Sequence, residues 1–264
     1  MKTKKKERKI NLRVFEVFER GQSIFEAACR LRKRKMYFVE VTNPEWRRLF
    51  DEALDLLHYA GACQRVGRCM RLAIIHERQW VGGIVLGSTF PNIDVRDRAL
   101  GLKKFVKGFK SRGLGNPWAR ENQLYWKALQ RVVNHARTFI FPMFQGKGLA
   151  TLAHSLLLKE GVELWQKKYG DQVYALDNLC DHGDSKLFAK NGWTLVGETK
   201  GYRSDRKSVF SHRFVKHRLK MVRNNVGLQR WPDGRRWLVW IKLINPRALK
   251  DLELGLHAQL SSET

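Results

Sequence analysis

Apolar positions recur along the chain with two spacings, and the change from one to the other predicts alternating strands and helices. Alternating apolar residues predict a strand at residues 37–42. The segment after it has apolar residues three and four positions apart, which is typical of a helix with one buried face. Asn43 and Pro44 suit the cap and the first turn of that helix. Two runs rich in β-branched residues, 70–75 and 80–87, predict a hairpin.

The second half of the chain continues this alternation of helices and strands. Helices are predicted at residues 118–136, 149–169 and 186–190. Strands are predicted at residues 137–141, 173–179, 193–197 and 238–244. A helix between two strands implies parallel neighbours joined by a crossover. We therefore predict an α/β protein whose mixed sheet includes the hairpin.

A glycine-containing turn joins the strand at 137–141 to the helix after it. The turn reads Gln145-Gly146-Lys147-Gly148-Leu149-Ala150. The first N–H groups of a helix lack carbonyl partners and carry partial positive charge, so this turn could hold a phosphate or pyrophosphate. Its glycines would let the backbone approach the anion closely. The simpler alternative is a strand-to-helix turn that only needs glycines, and six residues alone do not decide between the two.

The charge of the chain indicates a polyanionic partner. There are 51 Lys and Arg against 25 Asp and Glu, which gives a net charge of +26. Nucleic acid is the first candidate and an anionic membrane surface the second. No apolar run is long enough to span a bilayer, and the basic N-terminus is not followed by the apolar core of a secretory signal. We therefore expect a cytoplasmic protein, in a bacterium or an infected host cell, that does not bind membranes.

Basic residues are concentrated in three parts of the chain. The first is an N-terminal arm, residues 1–36, whose alternative is a solvated tail. The second alternates lysines with Phe105 and Phe109, a pattern suited to phosphates and base stacking, or else to a surface loop held by two aromatic residues. The third follows residue 202. The predicted nucleic-acid contacts are Lys103, Lys104, Lys107, Lys110, Arg112, Arg203, Arg206 and Lys207.

The four cysteines do not indicate a metal site or a disulfide. Cys29, Cys63, Cys69 and Cys180 lack the paired spacing of a zinc knuckle. A cytosolic setting also argues against disulfides. We expect these residues to be free thiols and the protein to hold no metal.

Two segments resemble the GNAT acetyltransferase superfamily. They are the turn at residues 141–150 and the later run from Leu187 to Glu198, which has a helix with an aromatic residue, then Asn-Gly-Trp, then a strand. The resemblance implies the GNAT acyl-CoA N-acyltransferase fold over residues 37–207, with 208–264 as a basic extension packed on it. It also implies an acyl-CoA cofactor, acetyl-CoA or a related one. The cofactor would be held by Phe141, Phe144, Gln145, Gly146, Lys147, Gly148, Leu149 and Ala150.

A narrower resemblance covers residues 58–202. The His58-Tyr59 pair before the hairpin and an Asp on the strand after the loop helix are similar to the Druantia anti-phage protein A family and to the phage Mom-type proteins, which modify adenine in DNA. The resemblance implies that His58 and Tyr59 transfer protons, that Asp177 accepts a proton or orients an amine, and that Arg137 pairs with Asp177 or a phosphate. Asp177 could instead be a structural acceptor. Tyr202 is a weaker candidate.

The match to the Druantia group is incomplete in the loop, and several functions stay open. The Druantia group has Asn before Leu-Ala in the loop, whereas this chain has Gly148, as acyl-CoA loops do. Our hypothesis is an acyl-CoA-dependent enzyme that modifies a nucleic acid, DNA rather than RNA, at an amino group of a base. A stacked base would have to be flipped out or presented in a single strand. The alternatives are a GNAT enzyme acting on tRNA, a protein or a small amine, and a non-catalytic GNAT-like DNA-binding protein of an anti-phage system.

Overall fold

The sheet has seven strands among the residues that the structure describes. The structure is a computed structural model that describes residues 12–24, 35–58, 61–62, 67–91, 93–105, 123–180, 185–199 and 237–254. The strands are β1 (Met36–Glu40), β2 (Cys69–His76), β3 (Gln79–Ser88), β4 (Val132–Ile140), β5 (Ala175–Cys180), β6 (Thr194–Glu198) and β7 (Leu238–Leu243). Their order is β1-β2-β3-β4-β5-β7-β6, with β4 and β5 parallel and the other neighbours antiparallel. This confirms the predicted mixed α/β class.

Helices cover both faces of the sheet. They are α1 (residues 12–24), α2 (Pro44–Leu57), α3 (Asp94–Ala99), α4 (Gln123–Gln130), α5 (Leu149–Leu156), α6 (Val162–Tyr169) and α7 (Ser185–Lys190). A π-helical turn, Leu157–Gly161, joins α5 to α6. Short 3-10 turns lie at Leu102–Phe105, Pro142–Phe144 and Pro246–Leu249. Apolar residues of α5, α6 and α7 pack on one face, and those of α1, α2 and α4 pack on the other.

Local sequence signals were reliable where the chain turns. Asn43 caps α2, since its side-chain oxygen accepts the Glu45 N–H at 2.8 Å. In the hairpin, a Cβ on Gly82 would lie 2.3 Å from the Phe139 carbonyl oxygen, and one on Gly83 would lie 2.4 Å from the Phe50 ring. These glycines let the neighbouring strand and helix pack against β3.

The predicted boundary between the helix at 118–136 and the next strand was wrong. Helix α4 ends at Gln130, and β4 begins at Val132. Val132 and Val133 are buried and favour a strand between two helical layers. The polar Asn134 and His135 interrupt the apolar pattern, yet both are buried and hydrogen-bonded inside the protein. Their polarity therefore does not mark a helix surface.

The basic segment after β3 contains regular structure. Residues 94–105 include α3 and a 3-10 turn. Phe105 is 1% exposed and packs in the core with Leu102 and Tyr125. It is therefore not available for base stacking, which corrects that part of the prediction. Phe109 lies outside the described residues.

The core extends beyond both predicted boundaries. On the N-terminal side, Phe18 of α1 contacts Phe141 with ring centres 5.3 Å apart, and Gln22 hydrogen-bonds the backbone of Trp80 through both side-chain atoms at 3.0 and 3.1 Å. On the C-terminal side, β7 lies between β5 and β6. The predicted core of residues 37–207 therefore omits a helix and an inner strand.

Candidate functional site

The parallel strands β4 and β5 pair over three residues and then separate. The ladder joins Val132 to Ala175, Val133 to Leu176 and Asn134 to Asp177. Beyond these pairs β4 continues along β3. A bulge in β4 leaves Ala136 without a partner in the ladder, because Leu86 pairs with His135 and Val85 pairs with Arg137. Strand β5 continues along β7. The strands thus turn toward different neighbours, and an opening forms between them at their carboxyl ends.

A cavity of about 270 Å³ occupies this opening. One wall is β4 from His135 to Ile140, and the other is the end of β5 from Asn178 to Cys180. His58, Leu187 and Phe188 close the cavity, and the turn before α5 lies at its mouth. The carboxyl ends of neighbouring strands are where α/β proteins commonly build their sites. The fold therefore brings the glycine turn and several predicted residues to one place.

The glycine turn has the backbone that its sequence predicts. Gly146 and Gly148 have φ values of 77° and 73°, a region that disfavours residues with a side chain. No atom of the described residues lies within 4 Å of the position of a Cβ added to either glycine. Gly148 caps α5 without a side-chain hydrogen bond. The first helical bond runs from the Leu152 N–H to the Gly148 carbonyl at 3.1 Å. The helix start thus presents backbone N–H groups without a capping side chain.

Side chains around the turn fix its position and add charge. The Gln145 amide donates to the carbonyl of Ile140 at 2.8 Å, which ties the turn to the end of β4. Lys147 is exposed, and its ammonium lies 5.6 Å from the centre of the Phe144 ring. Gly146, Gly148, Leu149 and Ala150 line the cavity with Phe144 and Gln145. These residues could together hold the phosphate end of a nucleotide cofactor.

Phe141 does not belong to this surface. Its side chain is fully buried, with ring centres 4.9 Å from Trp80 and 5.6 Å from Phe139. It is absent from the cavity lining. The Phe141 ring therefore holds the aromatic core beneath the turn, and the predicted contact with a cofactor stays a prediction for its backbone alone.

The structure brings two of the predicted catalytic residues, His58 and Arg137, to the cavity wall. His58 caps the C-terminus of α2, and burial, with the nearby charge of Arg137, lowers its pKa to about 4. His58 is thus uncharged at neutral pH. Arg137 donates to the carbonyl oxygens of Gly61 at 3.3 Å and Ala136 at 2.8 Å. Tyr59 lies outside the described residues.

Asp177 lies on the face of β5 opposite the polar wall of the cavity. It is completely buried, accepts from Arg96 at 2.9 Å and Asn134 at 2.7 Å, and is hydrogen-bonded by Thr89. Its charge therefore stabilises the interior beneath α3. The predicted pairing with Arg137 is wrong, because Arg96 takes that position. The other prediction for Arg137, contact with a phosphate, stays open.

Four polar side chains that were not chosen as site residues meet at the base of the cavity. Asn178 donates to the His135 carbonyl at 2.6 Å, and its amide nitrogen lies 3.2 Å from Nδ1 of His135. Nε2 of His135 lies 2.8 Å from Oγ1 of Thr138, which lies 3.3 Å from Nε2 of His154. Burial lowers the pKa of His154 to about 4. The sequence signal for this cluster was weak: one histidine in each of two segments that the sequence places next to the glycine turn, 133–140 and 149–158.

The nucleic-acid contacts are tested only in part. Lys103 pairs with Asp94 at 2.9 Å, and Lys104 pairs with Glu253. Both lysines thus stabilise the surface around α3, and their charge is partly neutralised. The other predicted contacts lie outside the described residues, as does Tyr202: Lys107, Lys110, Arg112, Arg203, Arg206 and Lys207.

Other site types have no support in the described part of the chain. No cluster of His, Cys, Asp and Glu there could hold a metal ion. No helix found there is long and apolar enough to cross a membrane. Within the described part of the chain Cys69 and Cys180 form no disulfide, and Cys29 and Cys63 lie outside it.

Comparison with solved structures finds N-acetyltransferases at low similarity. The ribosomal-protein-S18-alanine N-acetyltransferase of Escherichia coli aligns over 80% of this chain and 94% of its own length, with a TM-score of 0.41 and 7% identity. A chimera of the spermidine N-acetyltransferase of Vibrio cholerae aligns over 83% of this chain and 99% of its own length, with a TM-score of 0.42 and 8% identity. A Bacillus subtilis acetyltransferase in complex with CoA aligns over 81% of this chain and 100% of its own length, with a TM-score of 0.37 and 11% identity.

These likenesses are too weak to establish a family or an activity, since every TM-score is below 0.5. No model of a known protein family matches the sequence, and no curated protein does. The chemistry of the site therefore has to be argued from its own geometry.

Proposed function

We propose that this chain is a GNAT-fold N-acyltransferase that uses acetyl-CoA or a related acyl-CoA. One observation carries the proposal: the opening between the parallel strands β4 and β5 leads directly to the glycine turn at the start of α5. A helix start suits a pyrophosphate. The edge of β4 facing the opening suits the amide groups of an extended chain, because such groups pair with strand edges. A long cofactor with phosphates at one end and amides along its length fits both features.

The reaction needs little from charged side chains. The bound thioester supplies an activated acyl group, and a neutral amine forms a C–N bond to its carbonyl carbon. The C–S bond breaks with its electron pair on sulfur, and the proton lost by nitrogen restores the thiol. His58, uncharged at neutral pH, can accept a hydrogen bond from the amine and orient it. Orientation of this kind can contribute much of a rate enhancement.

We propose that the acceptor is an amino group of a nucleic acid, most directly of a DNA base. The net charge of +26 supports a polyanionic substrate. Because Lys103 and Lys104 are engaged in ion pairs, the predicted contacts that remain lie at residues 107–112 and 203–207. We place the protein in the cytoplasm of a bacterium or of an infected host cell, where such a substrate is accessible.

Calorimetric titration with acetyl-CoA tests the cofactor, and two glycine variants make the test specific. Gly148 and Gly170 have φ values of 73° and 79°, and among the residues that the structure describes none has an atom within 4 Å of an added Cβ at either position. Gly148→Glu and Gly170→Glu therefore impose similar backbone strain. Only the first places a carboxylate at the helix start, so only the first should abolish binding. Equal binding by both variants, or none by the wild type, would overturn the cofactor assignment.

Mass spectrometry of nucleosides tests the acceptor. DNA and tRNA from cells expressing the wild type are compared with those from cells expressing Gly148→Glu. We expect an acylated base in DNA that requires the wild-type loop. If tRNA is modified and DNA is not, the acceptor is RNA and the DNA proposal is wrong. If neither pool contains a modified nucleoside, the proposal of a nucleic-acid acceptor is contradicted.

A further inference from the structure

The polar cluster at the base of the cavity has a direction that can be worked out atom by atom. Asn178 fixes the first step, because its amide nitrogen also donates to the His135 carbonyl oxygen, which can only accept. The same nitrogen faces Nδ1 of His135 at 3.2 Å, so Nδ1 must accept. The proton of the neutral His135 ring is therefore on Nε2, and it is donated to Oγ1 of Thr138 at 2.8 Å.

His154 approaches the same hydroxyl from α5. Its Nε2 lies 3.3 Å from Oγ1 of Thr138, and its Nδ1 is buried without a hydrogen-bond partner. If Nδ1 carried the proton, an N–H donor would be left unpaired in the interior, which proteins almost never allow. An unpaired acceptor is better tolerated. The proton of His154 therefore belongs on Nε2, which also donates to Thr138.

Two ring N–H groups then occupy both lone pairs of the Thr138 oxygen, because a hydroxyl has two acceptor positions and one donor. The hydroxyl proton has no hydrogen-bond acceptor among the described residues and points away from both rings. Thr138 is half-buried, and it lines the cavity. The two donors also polarise the hydroxyl and strengthen it as a donor in its turn.

We propose that Thr138 is a catalytic hydrogen-bond donor, aimed into the cavity by His135 and His154. Its hydroxyl stabilises the negative charge that develops on the thioester group during acyl transfer, and Thr138 keeps its own proton throughout. Donors fixed before the reaction are effective because they need no reorganisation when the charge appears. His154, which bonds the Thr138 hydroxyl but does not line the cavity, is a positioning residue. This role rests on the acyltransferase function proposed above.

The arrangement of protons can be tested without any activity. Long-range ¹H–¹⁵N correlation spectra of the labelled protein at neutral pH distinguish the two neutral tautomers of each histidine, and His135 and His154 are assigned from single-residue variants. We expect the Nε2–H tautomer for both. In Thr138→Val, where both N–H groups lose their acceptor, both resonances should shift. An Nδ1–H tautomer at His154, or at His135, would overturn the inference.

Steady-state kinetics test the catalytic role. Thr138→Val keeps the shape of the side chain but lacks the hydroxyl, so its kcat should fall by about 10²-fold, as on loss of one oxyanion donor, with acetyl-CoA affinity changed less than about twofold. Thr138→Ser should retain kcat within about threefold. His154→Phe should lower kcat without weakening acetyl-CoA binding.

The possible failures are distinguishable. A folded Thr138→Val protein with wild-type kcat would overturn the role of Thr138 while leaving the acyltransferase function intact. A wild-type protein that neither binds acetyl-CoA nor transfers an acyl group would overturn both. In that case the tautomer spectra would still report whether the hydroxyl is doubly supported.

Discussion

At the residue scale, the most unusual feature outside the cavity is a buried ionic network. Arg96 bonds Asp97 at 2.6 Å and Asp177 at 2.9 Å, and all three side chains are almost completely buried. Tyr125 also donates to Asp97 at 2.9 Å. The two carboxylates raise the pKa of Arg96 further, against the effect of its burial. One guanidinium thus bridges two buried carboxylates, Asp97 on α3 and Asp177 on β5.

We expect Arg96→Met to destabilise the protein by about 3–5 kcal/mol, because it leaves two buried carboxylates without their cation. The free energy of unfolding, measured by urea titration, checks this. Arg98→Met is the matched control, since Arg98 is exposed and pairs with Asp94 at the surface, so its loss should cost about 0.5 kcal/mol or less. Equal effects of the two substitutions would contradict the structural role of the network.

His154 should make stability depend on pH. Its pKa is about 4 in the folded protein and near 6.5 when exposed. Between these values the unfolded chain binds the proton and the folded chain does not, so stability falls as pH decreases from about 6.5 toward 4. The full effect is on the order of 3 kcal/mol. His154→Phe should show a shallower slope of unfolding free energy over this range, and an unchanged slope would contradict the buried neutral histidine.

The sequence identified the correct strand for the site but the wrong face of it. Asp177 and Asn178 are adjacent, and successive side chains of a strand point to opposite faces. Asp177 contacts Asn134 and Arg96, whereas Asn178 contacts His135 at the cavity. A carboxylate attracts a catalytic interpretation, yet only the register of β4 and β5 shows which residue reaches the site.

At the scale of elements, α1 packs so closely on Trp80 that the residue at position 21 has no room for a side chain. A Cβ on Gly21 would lie 2.1 Å from two carbons of the Trp80 ring. The same helix presents Phe18 to Phe144, with ring centres 5.7 Å apart, beside the glycine turn. Its packing therefore helps to position the loop that is proposed to bind the cofactor.

We expect Gly21→Ala to destabilise the protein by about 1–3 kcal/mol, the usual range for overpacking a core. The sign of the change in unfolding free energy is informative, because in a helix that packs against nothing the same substitution would stabilise the protein by about 0.5–1 kcal/mol. Thermal unfolding followed by circular dichroism measures the effect. Ser23→Ala, at an exposed position of the same helix, provides the control. A stabilised Gly21→Ala protein would show that α1 is not packed on Trp80.

Elements marked by local chemistry were predictable, and those marked by distant contacts were not. The Asn-Pro start of α2 and the glycine turn before α5 are encoded within a few residues. The start of β4 was missed because Asn134 and His135 are satisfied by Asp177, Thr138 and Asn178, which lie on β5 and farther along β4. No local pattern contains that information.

At the scale of the whole molecule, the last strand determines whether the sheet is complete. Strand β7 pairs with all six residues of β5 on one side and with β6 on the other. A fragment of residues 1–207 keeps β6 but removes the strand that joins it to β5. We expect this fragment to lack a cooperative thermal transition, as measured by circular dichroism. A normal transition would show that residues 238–254 are dispensable.

The sequence could not assign this position to β7. Its apolar pattern predicts a strand at 238–244, and a strand after residue 207 could equally be added at an edge. The inner position depends on pairing between residues about 60 apart, such as Leu176 with Lys242. Boundaries drawn from charge and resemblance therefore separated residues that belong to one sheet.

The late position of β7 in the chain also bears on synthesis of the protein. While the ribosome is still making residues 200–237, β5 has a free edge on the side that β7 will later occupy. A free edge beside buried apolar residues is a site for incorrect pairing between chains. Pairing across a long separation in sequence is also slow. Yield of soluble protein should therefore depend on how soon β7 leaves the ribosome after β5, and chaperones that shield strand edges should matter most in that interval.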